Sequence, residues 1–286
     1  MSEWVNEWMS KGNWRRCMIT KKALTFIKRD FIIATSYRFA FLLQLFGIFF
    51  SVLTFYFLDK MFGTAAVPYL EPYGGDYFSF VLIGIAFSTY LTTGLRSFSG
   101  SIRNEQMMGT LEAMLATPTK ASVLILFSSL WDFIFASIQV LAYLLIGVFL
   151  FAVDMGNANI FAAILVLILT IICFSSLGII SASFIMVLKR GDPINWAFSA
   201  LSGLLGGVLY PISVLPQWLQ YFSYFLPITY ALNAMRHALL QGYSLEALAP
   251  DIIALLLFSI VMLPLSIMAF KFAVRRAKVD GSLTQY

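Results

Sequence analysis

The sequence predicts an all-α polytopic membrane protein with six transmembrane helices, and two observations carry that expectation. The first is composition. Of 286 residues, 60% are hydrophobic and 12% are charged, against roughly 25% charged in a typical soluble domain. Mean hydropathy is +0.85; a water-soluble fold would expose much of this apolar surface, whereas lipid makes the composition ordinary. The second observation is where the Lys and Arg residues fall.

A transmembrane helix needs roughly 20 predominantly apolar residues. Six segments qualify: about Phe39–Leu58, Tyr77–Leu95, Val123–Phe151, Ile160–Leu188, Ile194–Tyr210 and Ile252–Phe272. The third is long enough to tilt, and the fifth is short and glycine-rich. With six spans, 17 of the 19 basic residues share one side: eight before Phe39, three at Arg96, Arg103 and Lys120, two at Lys189 and Arg190, and four from Lys271 to Lys278. Only Lys60 and Arg236 fall opposite. The positive-inside rule therefore places both termini in the cytoplasm of a multi-pass protein of the cell membrane. An odd number of spans would destroy this partition. The same clustering in short inter-span segments argues against nucleic-acid binding despite a net charge of +5.

This divides the chain into a cytoplasmic N-terminus (1–38), a six-span domain (39–272) and a basic cytoplasmic tail (273–286). In the N-terminus, Ile19, Ala23, Phe26, Ile27, Phe31 and Ile33 recur at near-helical spacing beside Arg15, Arg16, Lys22 and Arg29. This suits an amphipathic helix on the inner membrane surface, with an ordinary charged lead-in as the alternative. The first apolar run begins too late for a cleavable signal peptide, so the whole chain reads as mature protein. Leu58–Asp76, with Pro68, Pro72, Gly74 and Gly75, reads as an irregular acidic outer loop. Cys17 and Cys173 lie at different depths, which disfavours a disulfide, and His237 has no evident metal partner. No metal site is expected. No internal repeat points to an inverted-repeat transporter.

Two hydrophilic or broken stretches carry functional information. Between spans two and three, Glu105 and Glu112 are seven residues apart, and Met108, Leu111 and Leu115 follow i, i+3, i+7. One helix over 104–117, ended by Pro118, would set the acidic pair beside an apolar stripe. Such a helix suits a groove in another protein; spacing equally allows it to rest on lipid. Between spans five and six, Pro211, Pro216 and Pro227 divide an apolar stretch into pieces too short to cross. Pro216 and Pro227 suit first helical turns and Gly242 a helix end. Two short helices that dip into the outer leaflet and return (211–241) fit this pattern, with Trp218, Tyr221, Tyr224 and Tyr230 in the interface belt.

Here a resemblance enters. Glu105, Gly109, Thr110, Leu111, Glu112, Leu115 and Pro118 together resemble the cytoplasmic coupling helix of type-2 ABC exporter permeases. Pro211, Pro216, the run Pro227-Ile-Thr-Tyr230 and Arg236 are similar to that family's re-entrant segment, and Arg275–Tyr286 to its tails. Met114 departs from the more usual aliphatic residue. The resemblance implies the membrane subunit of an ATP-driven exporter. Two permease copies would pair, most simply as a homodimer, and each would dock a separate ATPase through its coupling helix. ATP and Mg would be used by that partner, with no cofactor or catalytic residue in this chain. In agreement, no G-x-x-x-x-G-K-[ST] phosphate loop occurs in the sequence. Relatives move drugs, lipids and glycan-linked lipids, among other cargo.

Asp132 is the only charged residue well inside an apolar run, and Gln139 shares its helix face at i, i+7, with Tyr143 a turn beyond. These three are candidates for the pathway; the alternative places Asp132 beside Trp131 near the inner headgroups or against a neighbouring helix. Ser175, Ser176, Ser181 and Ser183, and Gly203, Gly206 and Gly207, read as close-packing residues. Two other classes stand as rivals. An ion-gradient transporter would have Asp132 as its single intramembrane carboxylate, and a membrane-embedded enzyme would need a catalytic cluster that the sequence does not show.

Overall fold

The computed structural model describes residues 24–32, 35–36, 38–109, 121–188 and 192–279. Among these the chain is helical throughout, without strands. The long helices are α1 (Arg38–Leu70), α2 (Tyr77–Met107), α3 (Ala121–Phe151), α4 (Ile160–Leu188) and α8 (Ala249–Val279). Between α4 and α8 lie three short ones: α5 (Pro193–Leu205), α6 (Gln217–Ser223) and α7 (Pro227–Leu240). The end where α2 finishes near Arg103 is called here the basic end, and the other the far end.

Five of these helices are long and apolar enough to cross a membrane: Phe41–Phe62, Tyr77–Glu105, Ser129–Phe151, Ile160–Leu188 and Ala249–Ala277. The protein is a multi-pass membrane protein. The expected fifth span departs from expectation. Its helix has 13 residues, about 20 Å at 1.5 Å per residue, against a hydrocarbon core of about 30 Å. Gly206 and the left-handed Gly207 (φ +72°) end it, and irregular backbone follows. The segment nonetheless reaches from Asp192, which accepts from Ser181 Oγ on α4, to Val208, whose carbonyl lies near Phe80 at the far end.

The loop expected over Leu58–Asp76 is also mostly helix. α1 continues to Leu70 with Pro68 in its last turn; lacking an N–H to bond the carbonyl four residues back, Pro68 weakens the ladder there and the helix ends two residues later. Only the 3-10 turn Glu71–Tyr73 and the left-handed Gly74 and Gly75 then reverse the chain. The last helix likewise runs past 272 to Val279, carrying Arg275 and Arg276. In the N-terminus, helix 24–32 packs on the start of α3, with Phe31 edge-on to Trp131 at 5.5 Å; Asn13–Ala23 lie outside the described residues.

Side chains mark the helix starts. Asp76 accepts from Ser79 N at 2.9 Å, Asn159 from Ala162 N at 3.1 Å, and Asp192 from Asn195 N at 3.0 Å, with Pro193 in the first turn. Each satisfies an orphan N–H of α2, α4 or α5.

The core forms where α2 and α4 cross, with Tyr90, Leu95 and Phe98 of α2 and Phe174, Leu177 and Met186 of α4 buried. Glycines permit the approach: a Cβ on Gly178 would lie 1.9 Å from Gly94 O, and one on Gly94 2.7 Å from Phe174 Cβ. Close backbone contact of this kind replaces the hydrophobic drive that is absent between helices in lipid. Gly206, just after α5, is similarly crowded by Ile228, whereas a Cβ on Gly203 within α5 would meet nothing within 4 Å among the described residues.

At the far end, the turn between α3 and α4 is fastened to the end of α7. Asn159 N donates to Ala238 O at 2.8 Å and Asn159 Nδ2 to Tyr243 O at 2.9 Å. Gly242 (φ +66°) allows this, since a Cβ there would lie 2.1 Å from Asn157 O. Gly242→Ala is therefore expected to destabilise the protein by at least the 1–2 kcal/mol that a left-handed residue costs, about 1–2 kcal/mol before the clash is added. A lowered thermal midpoint of the detergent-solubilised protein is the readout. An unchanged midpoint would mean that this staple does not form.

Candidate functional site

Two polar regions stand out, one at each end of α2. The first is an open cavity of about 600 Å³ in the basic half, lined by helix 24–32, α1, α2 and α3. Asp132 and Gln139 both line it, as their i, i+7 spacing predicts, and Ser97 Oγ donates to Asp132 Oδ2. Arg29, Asp30, Gln44, Arg96, Asn104 and Glu105 add charge and amide groups. Arg29 Nε pairs with Asp30 at 2.8 Å. Tyr143 is not among the lining residues; it packs in the apolar clusters and hydrogen-bonds Ser51 of α1. Trp131 also lines the cavity, beside Phe31 and Phe135.

Most of the lining comes from one face of α2 that sequence reading passed over. Thr89, Thr92, Thr93, Arg96, Ser97, Gly100, Ser101 and Asn104 recur at three- and four-residue steps, which is a helical polar stripe through an apolar span. That periodicity was available without coordinates. What sequence could not supply was the partner on α3.

The stripe leads to the expected coupling segment. α2 ends at Met107, Met108 N donates to Asn104 O at 2.9 Å, and Gly109 is left-handed at φ +68°. The single helix expected over 104–117 is thus broken at Gly109. Glu105 belongs to the end of α2. Met107 and Met108 are exposed at the tip, 65% and 75%. Thr110, Leu111, Glu112, Leu115 and Pro118 lie outside the described residues.

The second region is at the far end, where α7 is held against α2, α4 and α8 and is largely buried. Pro227 occupies the first turn of α7, whereas Pro216 sits at the cap of α6 rather than inside it. Pro211 is buried in the linker before them, and Tyr230 OH donates to Tyr224 O at 3.0 Å. Trp218 and Tyr221 on α6 are exposed. Arg236, expected as a loop cation, is instead buried at 3% exposure. Its Nε donates to Phe80 O at 3.1 Å and its Nη2 to Val208 O at 3.0 Å. The guanidinium carbon lies 3.4 Å from the Phe80 ring centroid and 5.9 Å from that of Tyr73. Burial lowers its pKa to about 9, which leaves it charged at neutral pH.

Around it, Tyr73 OH donates to Asn233 Oδ1 at 2.8 Å, and Asn233 Nδ2 to Asp251 Oδ2 at 2.7 Å, linking the α1–α2 turn, α7 and α8. His237 stacks between Tyr73 and Tyr243 and shares a 2.7 Å hydrogen bond with Gln241. A family model described as ABC-2 type transporter matches residues 22–240, well over half of the chain.

The chain belongs to the ABC-2 type transporter family. Its residues are those of a transport membrane domain, and the match includes the cavity, Gly109 and the whole of α7. A relative, ABC transporter G family member 20 of Dictyostelium discoideum, is 26% identical over 148 residues, which is 52% of this chain and 20% of that protein. The chain thus spans about a fifth of the length of that relative. Within this ABC-2 membrane domain, the polar cavity and the buried Arg236 are the two features through which α2 connects opposite ends of the structure.

Proposed function

We propose that the chain is the permease subunit of an ATP-driven exporter, working as a homodimer in the cell membrane with a separate nucleotide-binding ATPase. The observation that carries this reading is the family match across residues 22–240. In it, α5 and the irregular stretch to Tyr210 count as the fifth of six crossings, with both termini cytoplasmic. The basic end then faces the ATPase. Glu105, Met108 and Gly109, continued by Thr110, Leu111, Glu112, Leu115 and Pro118, form the contact that receives its movement. A flexible pair of exposed methionines suits an adaptable protein groove.

The cavity that holds Asp132 and Gln139 is the cytoplasmic entry of the pathway. Its mix of carboxylate, guanidinium and hydroxyl groups beside apolar faces of α1 and α3 suits an amphipathic cargo with a polar head, of the drug, lipid or glycan-linked classes. Pro211, Pro216, Pro227, Tyr230 and Arg236 belong to the re-entrant gate at the other end. ATP binding would draw the coupling segments together and reorient α2.

Co-expression with the nucleotide-binding subunit tests this. The expected result is a stable complex with two copies of each protein, whose ATPase rate in liposomes differs from that of the ATPase alone. Failure of the two to associate, or movement of an amphipathic fluorescent lipid by the chain alone under a proton or sodium gradient, would favour a secondary transporter.

A further inference from the structure

The buried Arg236 has no ion-pair partner among the described residues, yet it sits where three segments meet. Its guanidinium donates to two main-chain carbonyls: Phe80 O on α2 and Val208 O in the linker after α5. A helical carbonyl at position 80 already faces the N–H of residue 84, and residue 84 is glycine. A Cβ on Gly84 would lie 2.6 Å from Arg236 Nη2 and 2.1 Å from Val208 O. The missing side chain is what opens the Phe80 carbonyl to the guanidinium.

We infer that Arg236 is a positioning residue that locks the re-entrant α7 to α2, so that movement of the coupling segment at one end of α2 is delivered to the gate at the other. This rests on the coupling role proposed above. Geometry makes α2 suitable. No proline interrupts it from Phe80 to Met107, about 40 Å of continuous helix at 1.5 Å per residue. α7 also packs on α2, and its Ile228 and Leu232 are buried in the same apolar cluster as Ile83 and Phe87, but apolar contact is non-directional and allows sliding. The planar fork on two carbonyls sets a register.

Most other fastenings of α7 lead elsewhere. Asn233 binds Asp251 of α8, and the Ala238 carbonyl binds Asn159 at the start of α4; Tyr73, which bonds Asn233 and stacks on His237, belongs to the turn before α2 rather than to α2 itself. Loss of the Arg236 fork should therefore leave α7 seated while removing its directional hold on α2.

The test uses the full chain in complex with its ATPase, with Cys17→Ala and Cys173→Ala, and an environment-sensitive fluorophore at Met107→Cys or at Tyr221→Cys, both exposed positions. In the parent complex, trapping with ATP and vanadate is expected to shift emission at both sites. With Arg236→Met added, the Met107 site should respond as before, while the response at Tyr221 falls several-fold, the size of an ordinary allosteric coupling. Arg236→Lys, which keeps the cation without the fork, should fall between. If the Met variant does not assemble, the Lys variant is read in the same way. A full response at Tyr221 in either variant overturns the role of Arg236 and leaves the coupling assignment standing. No response at either site in the parent overturns the coupling assignment, and this inference falls with it.

Discussion

Gly178→Ala is expected to lower the stability of the solubilised protein by about 3 kcal/mol, the upper part of the usual range for overpacked interiors. The added Cβ would lie 1.9 Å from Gly94 O and 3.0 Å from Phe98 Cδ2. The nearest obstacle is backbone on a facing helix, so no rotamer change relieves it, and α2 and α4 must separate. Alanine's better helix propensity offsets about 1 kcal/mol at most. The companion variant Gly203→Ala isolates that offset, because nothing lies within 4 Å of its Cβ. It should be neutral or stabilising by up to about 1 kcal/mol. Unfolding in mixed detergent, followed by tryptophan fluorescence, measures both. Equal curves for the two variants would mean that α2 and α4 do not cross at Gly94 and Gly178.

The second large effect is functional. Glu112→Lys, or deletion of Gly109 through Glu112, should leave membrane insertion intact and abolish cargo-stimulated ATPase activity in the reconstituted complex. Reversing a charge at a docking contact changes both encounter and register, because like charges brought together cost several kcal/mol, on the order of 2–5 kcal/mol at a buried pair. The deletion also removes the left-handed Gly109 that turns the chain away from α2. Normal stimulation in both variants would remove this segment from the ATPase interface.

Much of the fold was legible from elementary rules. Apolar length found the five long helices. Over 194–210 the expected continuous helix is a 13-residue helix followed by irregular backbone, a difference that hydropathy alone does not register. The α2 helix ends at Met107 and does not continue through Gly109, whose left-handed backbone is one that glycine readily adopts at a helix end. That Asp132 and Gln139 share a face was legible because one helix sets it. Ser97, the partner of Asp132 on α2, was not, since nothing in spacing couples residues on different helices.

Taken alone, the sequence determined that this is a helical membrane protein, which way its basic segments divide, and where glycine and proline interrupt it. Those properties depend on composition and on neighbours within a few residues. Tertiary structure decided the rest: that Gly84 makes room for Arg236, that Gly178 meets Gly94, and that a loop arginine is a buried link between α7 and α2. Each requires two distant segments to be brought within a few ångströms, and only packing in three dimensions does that.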